Sequence, residues 1–238
     1  MPKTIVSLMG TDDHELAQQA RRAIAAGTDC LEWRADFYDS LSTPNDVRRS
    51  ASRLREAAPS APLIFTFRSK NEGGQRALAH EDYADLCEAA IRSGAIDLVD
   101  VELNRGDELV RRLVHLAHAH GVLAVVSYHD FAATPSTDHM VELLERMSHL
   151  GADIPKLAVM AHDSVDALRL MQATAKARDS LGKPLLTMAM GPEGVLSRLA
   201  GEAFGSCLTF CAVGTASAPG QVELAQATRT LQCLHEAL

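Results

Sequence analysis

Lys156 is the side chain of this sequence whose surroundings favour chemistry most strongly. It follows Ile154 and Pro155 and precedes the apolar run 157–160. An unpaired ammonium group is costly to bury, so a lysine in such a run should be paired or partly neutral. A neutral lysine amine can attack a ketone and form an imine. The same pattern also suits a lysine at the start of a strand, with its ammonium group reaching water.

His129 is the second candidate for a catalytic residue, and it lies between Tyr128 and Asp130. A histidine titrates near neutral pH and can shuttle a proton during a reaction. A lone histidine is more commonly a hydrogen-bonded residue of the core or of a loop. The residues around His129 leave both interpretations open.

Polar side chains stand at the carboxyl ends of several apolar runs, where buried parallel strands normally carry Val, Ile and Leu. They are the pairs Glu32 and Arg34, Asp100 and Glu102, and Ser127 and His129, together with Arg68. Side chains two positions apart on a strand face the same side, and barrel enzymes place their chemistry at this end of the strands. The pairs can also be structural ion pairs. For Asp100 and Glu102 we favour that second interpretation, because two adjacent carboxylates need a cation nearby.

Two loops have compositions that suit ligand binding. The first follows the third apolar run and contains Glu72 and a flexible Gly-Gly pair at 73–74. The second, 214–221, follows the last apolar run, and its small residues end in a Pro-Gly pair before a helical segment. This pattern suggests a lid or an anion-binding loop. Either loop alone would also fit an ordinary turn.

Eight short apolar runs, rich in β-forming residues, alternate with amphipathic segments that have helical spacing. The runs span residues 4–9, 30–34, 63–68, 98–103, 123–128, 156–160, 185–190 and 207–213. Strand–helix alternation predicts parallel strands joined by right-handed crossovers. Eight such units of about 30 residues fit a closed α/β fold, the (β/α)8 TIM barrel.

An open, doubly wound sheet is the alternative architecture, and it predicts a glycine-rich phosphate loop after the first strand. The sequence there is Met9-Gly10-Thr11, with no second glycine in the next residues. This difference favours the barrel. Because no Pro- or Ser-rich linker divides the chain, we expect a single domain over residues 1–238.

The composition excludes several classes of protein. Of the 238 residues, 47% are hydrophobic, which excludes a disordered chain. The net charge of −8 comes without a basic stripe, so we expect no nucleic-acid partner. No apolar run is long enough to span a membrane and no signal peptide is visible.

The cysteines and histidines give no metal-binding pattern. The five cysteines match no zinc spacing, and they suggest a reducing, cytoplasmic setting without disulfides. His115, His118 and His120 lie close together in sequence, but the first two fall on a predicted helix and need not converge. We therefore expect no metal.

Six segments of the sequence together resemble the type I 3-dehydroquinate dehydratase family. They are Glu32-Trp33-Arg34-Ala35-Asp36, Phe67-Arg68 with Glu72-Gly73-Gly74, Ser127-Tyr128-His129-Asp130-Phe131, Lys156-Leu157-Ala158, Met190-Gly191 with Ser197-Arg198, and Ser217-Ala218-Pro219-Gly220-Gln221. They follow one another in the family's order over almost the whole chain. Any one of them would be a weak signal, whereas six with compatible spacings are highly specific.

The resemblance implies that Lys156 forms an imine with the ketone of 3-dehydroquinate and that His129 moves the protons. Glu72 would pair with His129 and hold its orientation and pKa. The residues implied in binding the substrate or completing its polar pocket are Ser7, Glu32, Arg34, Arg68, Arg198, Ser217 and Gln221. The product would be 3-dehydroshikimate, formed without a metal or organic cofactor in aromatic amino-acid biosynthesis. The resemblance also suggests a homodimer.

Three other functions remain open from the residues alone. Another lysine-imine barrel enzyme, such as a class I aldolase, would need a sugar-phosphate site, and no clear phosphate motif is present. A catalytically inactive, metabolite-binding barrel would not need both Lys156 and His129. A purely structural protein would not need charged residues at its strand ends.

Overall fold

The computed structural model describes residues 1–39, 41 and 43–238, and its core is a curled sheet of parallel strands. The strands are β1 (Lys3–Leu8), β2 (Cys30–Arg34), β3 (Leu63–Thr66), β4 (Leu98–Glu102), β5 (Leu123–Asp130), β6 (Ile154–Met160), β7 (Leu186–Met190), β8 (Leu208–Ala212) and β9 (Val222–Glu223). They pair in the order β7-β6-β5-β4-β3-β2-β1-β8-β9. An isolated parallel bridge between Leu185 and Ser206 joins β7 to β8 and closes the barrel.

Helices connect the strands, as the alternating pattern predicts. They are α1 (Asp13–Ala25), α2 (Pro44–Ala57), α3 (His80–Arg92), α4 (Asp107–Ala119), α5 (Thr137–His149), α6 (Ser164–Leu181), α7 (Val195–Leu199), α8 (Gly201–Phe204) and α9 (Leu224–His235). The side chain of Asp12 caps α1, and Thr43 and Asp46 form a capping box ahead of α2. No helix in the described part of the chain is long and apolar enough to cross a membrane.

Several predicted boundaries are wrong by a few residues. Strand β3 ends at Thr66 rather than at 68, whereas β5 continues to Asp130 and β6 begins at Ile154 instead of Lys156. The short strand β9 was not predicted, because two residues are too few to show the alternation of apolar and polar side chains that is typical of a strand. These differences leave the predicted (β/α)8 order intact.

The barrel interior has an apolar lower layer and a polar layer above it. The lower layer consists of Ile5, Cys30, Ile64, Leu98, Val125, Ile154 and Leu186, which form one buried cluster. Two positions later, β1 to β6 carry Ser7, Glu32, Thr66, Asp100, Ser127 and Lys156, whereas β7 carries the apolar Met188. Because side chains two apart share a face, the strands carry this polar ring directly above the apolar floor. Ser7 lies opposite Glu32, Thr66 opposite Asp100, and Ser127 opposite Lys156. Between β2 and β3 and between β4 and β5 the pairing is shifted by two residues.

The alternate residues face outward and form the larger core between sheet and helices. Trp33, which is fully buried there, occupies the outer position that its spacing from Glu32 and Arg34 predicts. On α1, Leu16, Ala20 and Ala23 are buried as the helical spacing requires. This outer core fixes the position of the strands whose polar side chains point into the barrel.

Candidate active site

Lys156 lies inside the barrel, and its side chain is only 5% exposed. Its Nζ atom is 2.8 Å from Asp100 Oδ2 and 3.7 Å from Glu32 Oε1. The same atom stands 4.8 Å from the centre of the Phe210 ring. The alternative in which the ammonium group reaches water from the start of a strand is therefore wrong. The lysine is paired, as a buried ammonium group requires.

Asp100 has a closer connection to the chemistry than the sequence indicated. Its carboxylate binds Lys156 and Arg68, each at 2.8 Å, and accepts a hydrogen bond of 2.6 Å from Ser127 Oγ. Burial raises the pKa of Asp100, but Arg68 and Lys156 outweigh it and hold that pKa well below its usual value. The purely structural interpretation of this residue is thus incomplete, because it touches the candidate nucleophile.

Glu102 fits the structural interpretation that its spacing suggested. Its Oε1 atom accepts from Arg68 Nη1 at 3.1 Å and from the backbone N–H of Ser69 at 2.8 Å, while Oε2 accepts from Arg105 Nε at 3.1 Å. Arg68 therefore bridges Asp100 and Glu102 and supplies the cation that the two adjacent carboxylates need. These contacts fix Arg68 at the end of β3.

His129 and Glu72 form the predicted pair. Nδ1 of His129 lies 2.9 Å from Glu72 Oε2. Burial, reinforced by the positive charges of Arg68 and Lys156, holds the pKa of His129 well below its usual value, so the imidazole is neutral near pH 7. When Glu72 is ionised, Nδ1–H of His129 donates to its Oε2 atom and the Nε2 lone pair is free. The pair is therefore arranged as a general base with an orienting carboxylate.

Glu32 connects β1, β3 and the lysine. Its Oε2 atom accepts a 2.6 Å hydrogen bond from Ser7 Oγ, and its Oε1 atom accepts one of 2.9 Å from Thr66 Oγ1. Ser7 in turn accepts from Ser217 Oγ at 3.0 Å. Ser7 thus lies beneath the site and links Glu32 to the loop after β8, rather than lining the main cavity itself.

Arg34 is held at the mouth of the barrel by Asp36. Its Nε and Nη2 atoms donate to the two oxygens of that carboxylate at 2.8 and 2.7 Å, and its guanidinium group lies 4.9 Å from the Phe37 ring centre. Asp36 also accepts from the backbone N–H of Gln75 at 3.1 Å. Asp36 had no predicted role, but it fixes both Arg34 and the loop that carries Glu72.

Arg198 on α7 is a buried cation that has no acidic partner in the part of the chain that the structure describes. The residue is 3% exposed, and its Nη2 atom donates to the carbonyl of Pro219 at 3.2 Å. Its Nε and Nη1 atoms have no hydrogen-bond acceptor among the residues described. Burial lowers the pKa of Arg198 to about 10, so it is still charged at neutral pH. Nη2 has two N–H groups and Pro219 accepts from one of them, so one edge of the guanidinium group still offers two parallel donors, which suit a carboxylate ligand.

The loop after β8 is tied to itself and to the loop after β7. Gln221 accepts a 2.9 Å hydrogen bond from the backbone N–H of Ser217 and donates one of 2.8 Å to Ser217 Oγ. Gly220 has φ +79°, and a Cβ atom there would stand 2.3 Å from the carbonyl oxygen of Gly191. Only glycine therefore allows this close approach. The approach sets Ser217 and Gln221 beside Arg198.

One cavity of about 230 Å³ brings these side chains together. It is lined by Glu32, Arg34, Arg68, Glu72, His129, Lys156, Arg198, Ser217 and Gln221, which are all of the predicted site residues except Ser7. Met188, Met190 and Phe210 add an apolar wall. The described residues contain no group of three His, Cys, Asp or Glu side chains placed to hold a metal ion.

Comparisons with known proteins agree with this arrangement. A model of the type I 3-dehydroquinase family matches residues 4–237. The 3-dehydroquinate dehydratase of Salmonella typhimurium is 45% identical over 237 residues, which cover 99% of this chain and 94% of that protein.

Solved structures of related proteins share the whole fold. The type I 3-dehydroquinate dehydratase of Clostridium difficile, covalently modified with comenic acid, has a TM-score of 0.96 and 38% identity and covers 100% of this chain and 94% of its own. The enzyme of Geobacillus kaustophilus also has a TM-score of 0.96, with 39% identity and coverage of 99% and 92%. The fold of this chain is therefore that of these barrels.

Proposed function

The chain belongs to the type I 3-dehydroquinase family, a family of hydro-lyases, and we propose that it converts 3-dehydroquinate to 3-dehydroshikimate through a Schiff base on Lys156. One observation carries this proposal: the buried Lys156 lines the same cavity as the buried Arg198, which has no acidic partner among the described residues. The substrate has a ketone for the lysine and a carboxylate for the arginine. No organic or metal cofactor is required, because the imine itself is the electron sink.

Arg198 would orient the substrate by binding its carboxylate. The guanidinium group has two free donors and is too buried to be hydrated fully. Ser217 and Gln221, on the adjoining loop, are placed to bind ring hydroxyls. This arrangement resembles the common use of the loops after the last two strands of a barrel as an anion site.

The first chemical stage would be attack of the Lys156 amine on the ketone. The attack needs the neutral amine, so the Lys156 ammonium group first gives a proton to the neutral imidazole of His129. The imidazolium returns that proton to the hydroxyl group of the carbinolamine, which leaves as water and gives the protonated imine. Asp100 lies 2.8 Å from the lysine nitrogen and would then face the iminium charge. A carboxylate that stays ionised in this position favours the cationic intermediate.

The second stage would be the elimination itself. The iminium group makes the proton on the adjacent ring carbon acidic, and Nε2 of His129 accepts it while an enamine forms. The enamine expels the β-hydroxyl group, which takes the proton back from the imidazolium and leaves as water. Hydrolysis of the remaining imine releases 3-dehydroshikimate and restores Lys156. Glu72, at 2.9 Å from Nδ1, would stabilise the imidazolium between these steps.

We place this reaction in the shikimate pathway of aromatic amino-acid biosynthesis, in the cytoplasm, with the enzyme as a homodimer. The described cysteines are all free, as in a reducing compartment. We expect no nucleic-acid partner, because the net charge of the chain is −8. Size-exclusion chromatography with light scattering tests the dimer, and a single mass of one chain would contradict it.

Replacement of the lysine tests the proposed reaction. Lys156→Met should reduce turnover of 3-dehydroquinate by several orders of magnitude, because no other described group supplies an imine in this cavity. Turnover is followed by the ultraviolet absorbance of the conjugated product, and circular dichroism confirms that the variant is folded. Lys183→Met, a change outside the cavity, is the control and should keep normal activity. Near-normal turnover by Lys156→Met would contradict imine catalysis.

A further inference from the structure

The two oxygen atoms of Glu72 have different partners. Oε2 lies 2.9 Å from His129 Nδ1 and 3.5 Å from Arg68 Nη1. Oε1 accepts a hydrogen bond of 3.0 Å from the side-chain amide of Asn104. In the described part of the chain, no other donor is within hydrogen-bond distance of Oε1. Because Glu72 is only 2% exposed, the Asn104 amide also replaces the water that this oxygen would otherwise bind.

A fixed turn carries Asn104 to this position. Residues Leu103–Arg105 form a single 3-10 turn directly after β4, with Leu103 buried. Arg105 anchors the turn because its Nε atom donates to Glu102 Oε2 at 3.1 Å and its guanidinium group lies 4.1 Å from the Tyr83 ring centre. The Asn104 amide is therefore supplied by a rigid element, although the residue itself is exposed on its outer side.

Contacts at both oxygens are needed to fix a carboxylate. With Oε2 alone held, the group can rotate about its last bond and offer His129 either oxygen at a poorer angle. The hydrogen bond at Oε1 stops this rotation, and it also stabilises the ionised form of Glu72. An ionised Glu72 must accept the Nδ1 proton of His129, and only then is Nε2 a base.

We propose that Asn104 is a positioning residue for the dehydration, acting on His129 through Glu72. This inference rests on the proposed function, because it assigns Asn104 a part in the proton transfer by His129. Asn104 does not line the cavity that contains Lys156. It should therefore affect the proton transfer and leave imine formation unchanged.

The charges around Glu72 determine in which direction its pKa changes when the Asn104 hydrogen bond is lost. Burial raises the pKa of Glu72 to about 8, Arg68 on the β3 side opposes this rise, and the negative charges of Asp100 and Glu102 on β4 add to it. His129 on β5 is neutral and accepts no formal charge until the reaction occurs. The Asn104 hydrogen bond lowers the pKa of Glu72 against this background. Its loss would raise that pKa further.

The raised pKa has a predictable consequence for the rate. As the pH falls, a larger fraction of Glu72 would be protonated, and a protonated carboxyl group donates to Nδ1 instead of accepting from it. The imidazole proton would then be on Nε2, and Nε2 could no longer accept a proton from the substrate. The acid limb of the pH–kcat profile should therefore move to higher pH.

Asn104→Leu removes the donor and keeps a similar volume. Loss of a hydrogen bond to a charged group should lower kcat near neutral pH about tenfold and move the acid limb up by about one pH unit. KM should change less than about twofold, because Arg198 and its loop are untouched. Asn104→Asp places a like charge beside Glu72 and should move the limb further. Asn104→Gln keeps the amide donor and should restore the normal profile.

Asn71→Leu is the matched control, because Asn71 lines the same small outer cavity as Asn104 and Glu72 but has no side-chain hydrogen bond described. It should keep the wild-type profile. Borohydride reduction in the presence of 3-dehydroquinate should still trap the Lys156 imine in Asn104→Leu. An unchanged acid limb in Asn104→Leu, or equal losses in both leucine variants, would overturn the inference. An inactive wild-type protein would instead overturn the proposed function.

Discussion

The two sides of the cavity treat buried positive charge in opposite ways. On the side formed by β3 to β6, Lys156 and Arg68 share the carboxylate of Asp100 at 2.8 Å each. On the side formed by the loops after β7 and β8, the one acceptor for Arg198 among the described residues is the carbonyl of Pro219. All three cations are almost completely shielded from water.

This difference separates two tasks that a single enzyme must perform. A cation that has a protein carboxylate needs no acidic ligand, so the paired side is suited to moving protons and holding an intermediate. A buried cation with free donors costs about 1–3 kcal/mol for each unsatisfied group, and a ligand carboxylate removes that cost. The unpaired side is therefore suited to binding an anion. The unsatisfied donors of Arg198 make the folded protein less stable when no ligand is bound there.

The largest effect should follow from breaking the paired side. Asp100→Asn leaves Lys156 and Arg68 adjacent without their shared carboxylate, and it should lower the free energy of unfolding at pH 7 by about 3 kcal/mol. Urea denaturation measures this change. Asp107→Asn, in the exposed ion pair with Arg146, is the control and should cost less than about 1 kcal/mol. Equal losses in both variants would remove the distinction between the paired side and an ordinary surface.

The stabilisation from Asp100 should also depend on pH. Its pKa is lowered in the folded state, so its contribution is present above the unfolded pKa of about 3.9 and is lost as the pH falls toward the folded value. The difference in unfolding free energy between wild type and Asp100→Asn should therefore be constant from pH 7 to 5 and shrink below about pH 4. A constant difference down to pH 2 would contradict the lowered pKa.

The opposite result should follow on the unpaired side. Arg198→Met removes unsatisfied donors and should leave the unfolding free energy unchanged or raise it by about 1 kcal/mol, while raising KM about 10- to 100-fold. Arg198→Lys keeps the charge but not the planar guanidinium group, so its KM should lie between those of the wild type and Arg198→Met. Steady-state kinetics and urea denaturation measure both quantities. A clear loss of stability in Arg198→Met would show that the arginine is structural.

The smallest expected effect concerns the loop that completes the unpaired side. In Gly220→Ala, the new Cβ atom would collide with the carbonyl of Gly191 at an already unfavourable φ of +79°. The displaced loop should raise KM about fivefold, equivalent to about 1 kcal/mol, with little change in kcat. Gly214→Ala has a similar φ of +82° but an open surrounding, and it is the matched control. Equal KM values in the two variants would contradict the role of the close approach.

The sequence predicted the paired side better than the unpaired one. Lys156, His129 and their neighbours interrupt strands that should be apolar, so their positions could be recognised and their shared face followed from the spacing. Asp100 was recognised as unusual, but its partner could not be identified because Lys156 lies 56 positions further along the chain. The orienting roles of Asp36 and Asn104 also depend on contacts between loops.

The unpaired side had no comparable physical signal in the sequence. Arg198 lies in a short helix where an arginine is ordinary, and only the family resemblance implied its role. That its donors are both buried and free is a property of the folded chain. Similarly, the glycine at 220 suggested a turn, but its contact with Gly191 depends on how two loops meet.

The most direct test of the account is to trap the intermediate on the paired side. The protein is incubated with 3-dehydroquinate, reduced with borohydride, and analysed by intact-mass spectrometry and peptide mapping. The account predicts one covalent adduct per chain, on Lys156, which is absent when the substrate is omitted. Turnover of 3-dehydroquinate without an adduct, or an adduct on another lysine, would contradict it.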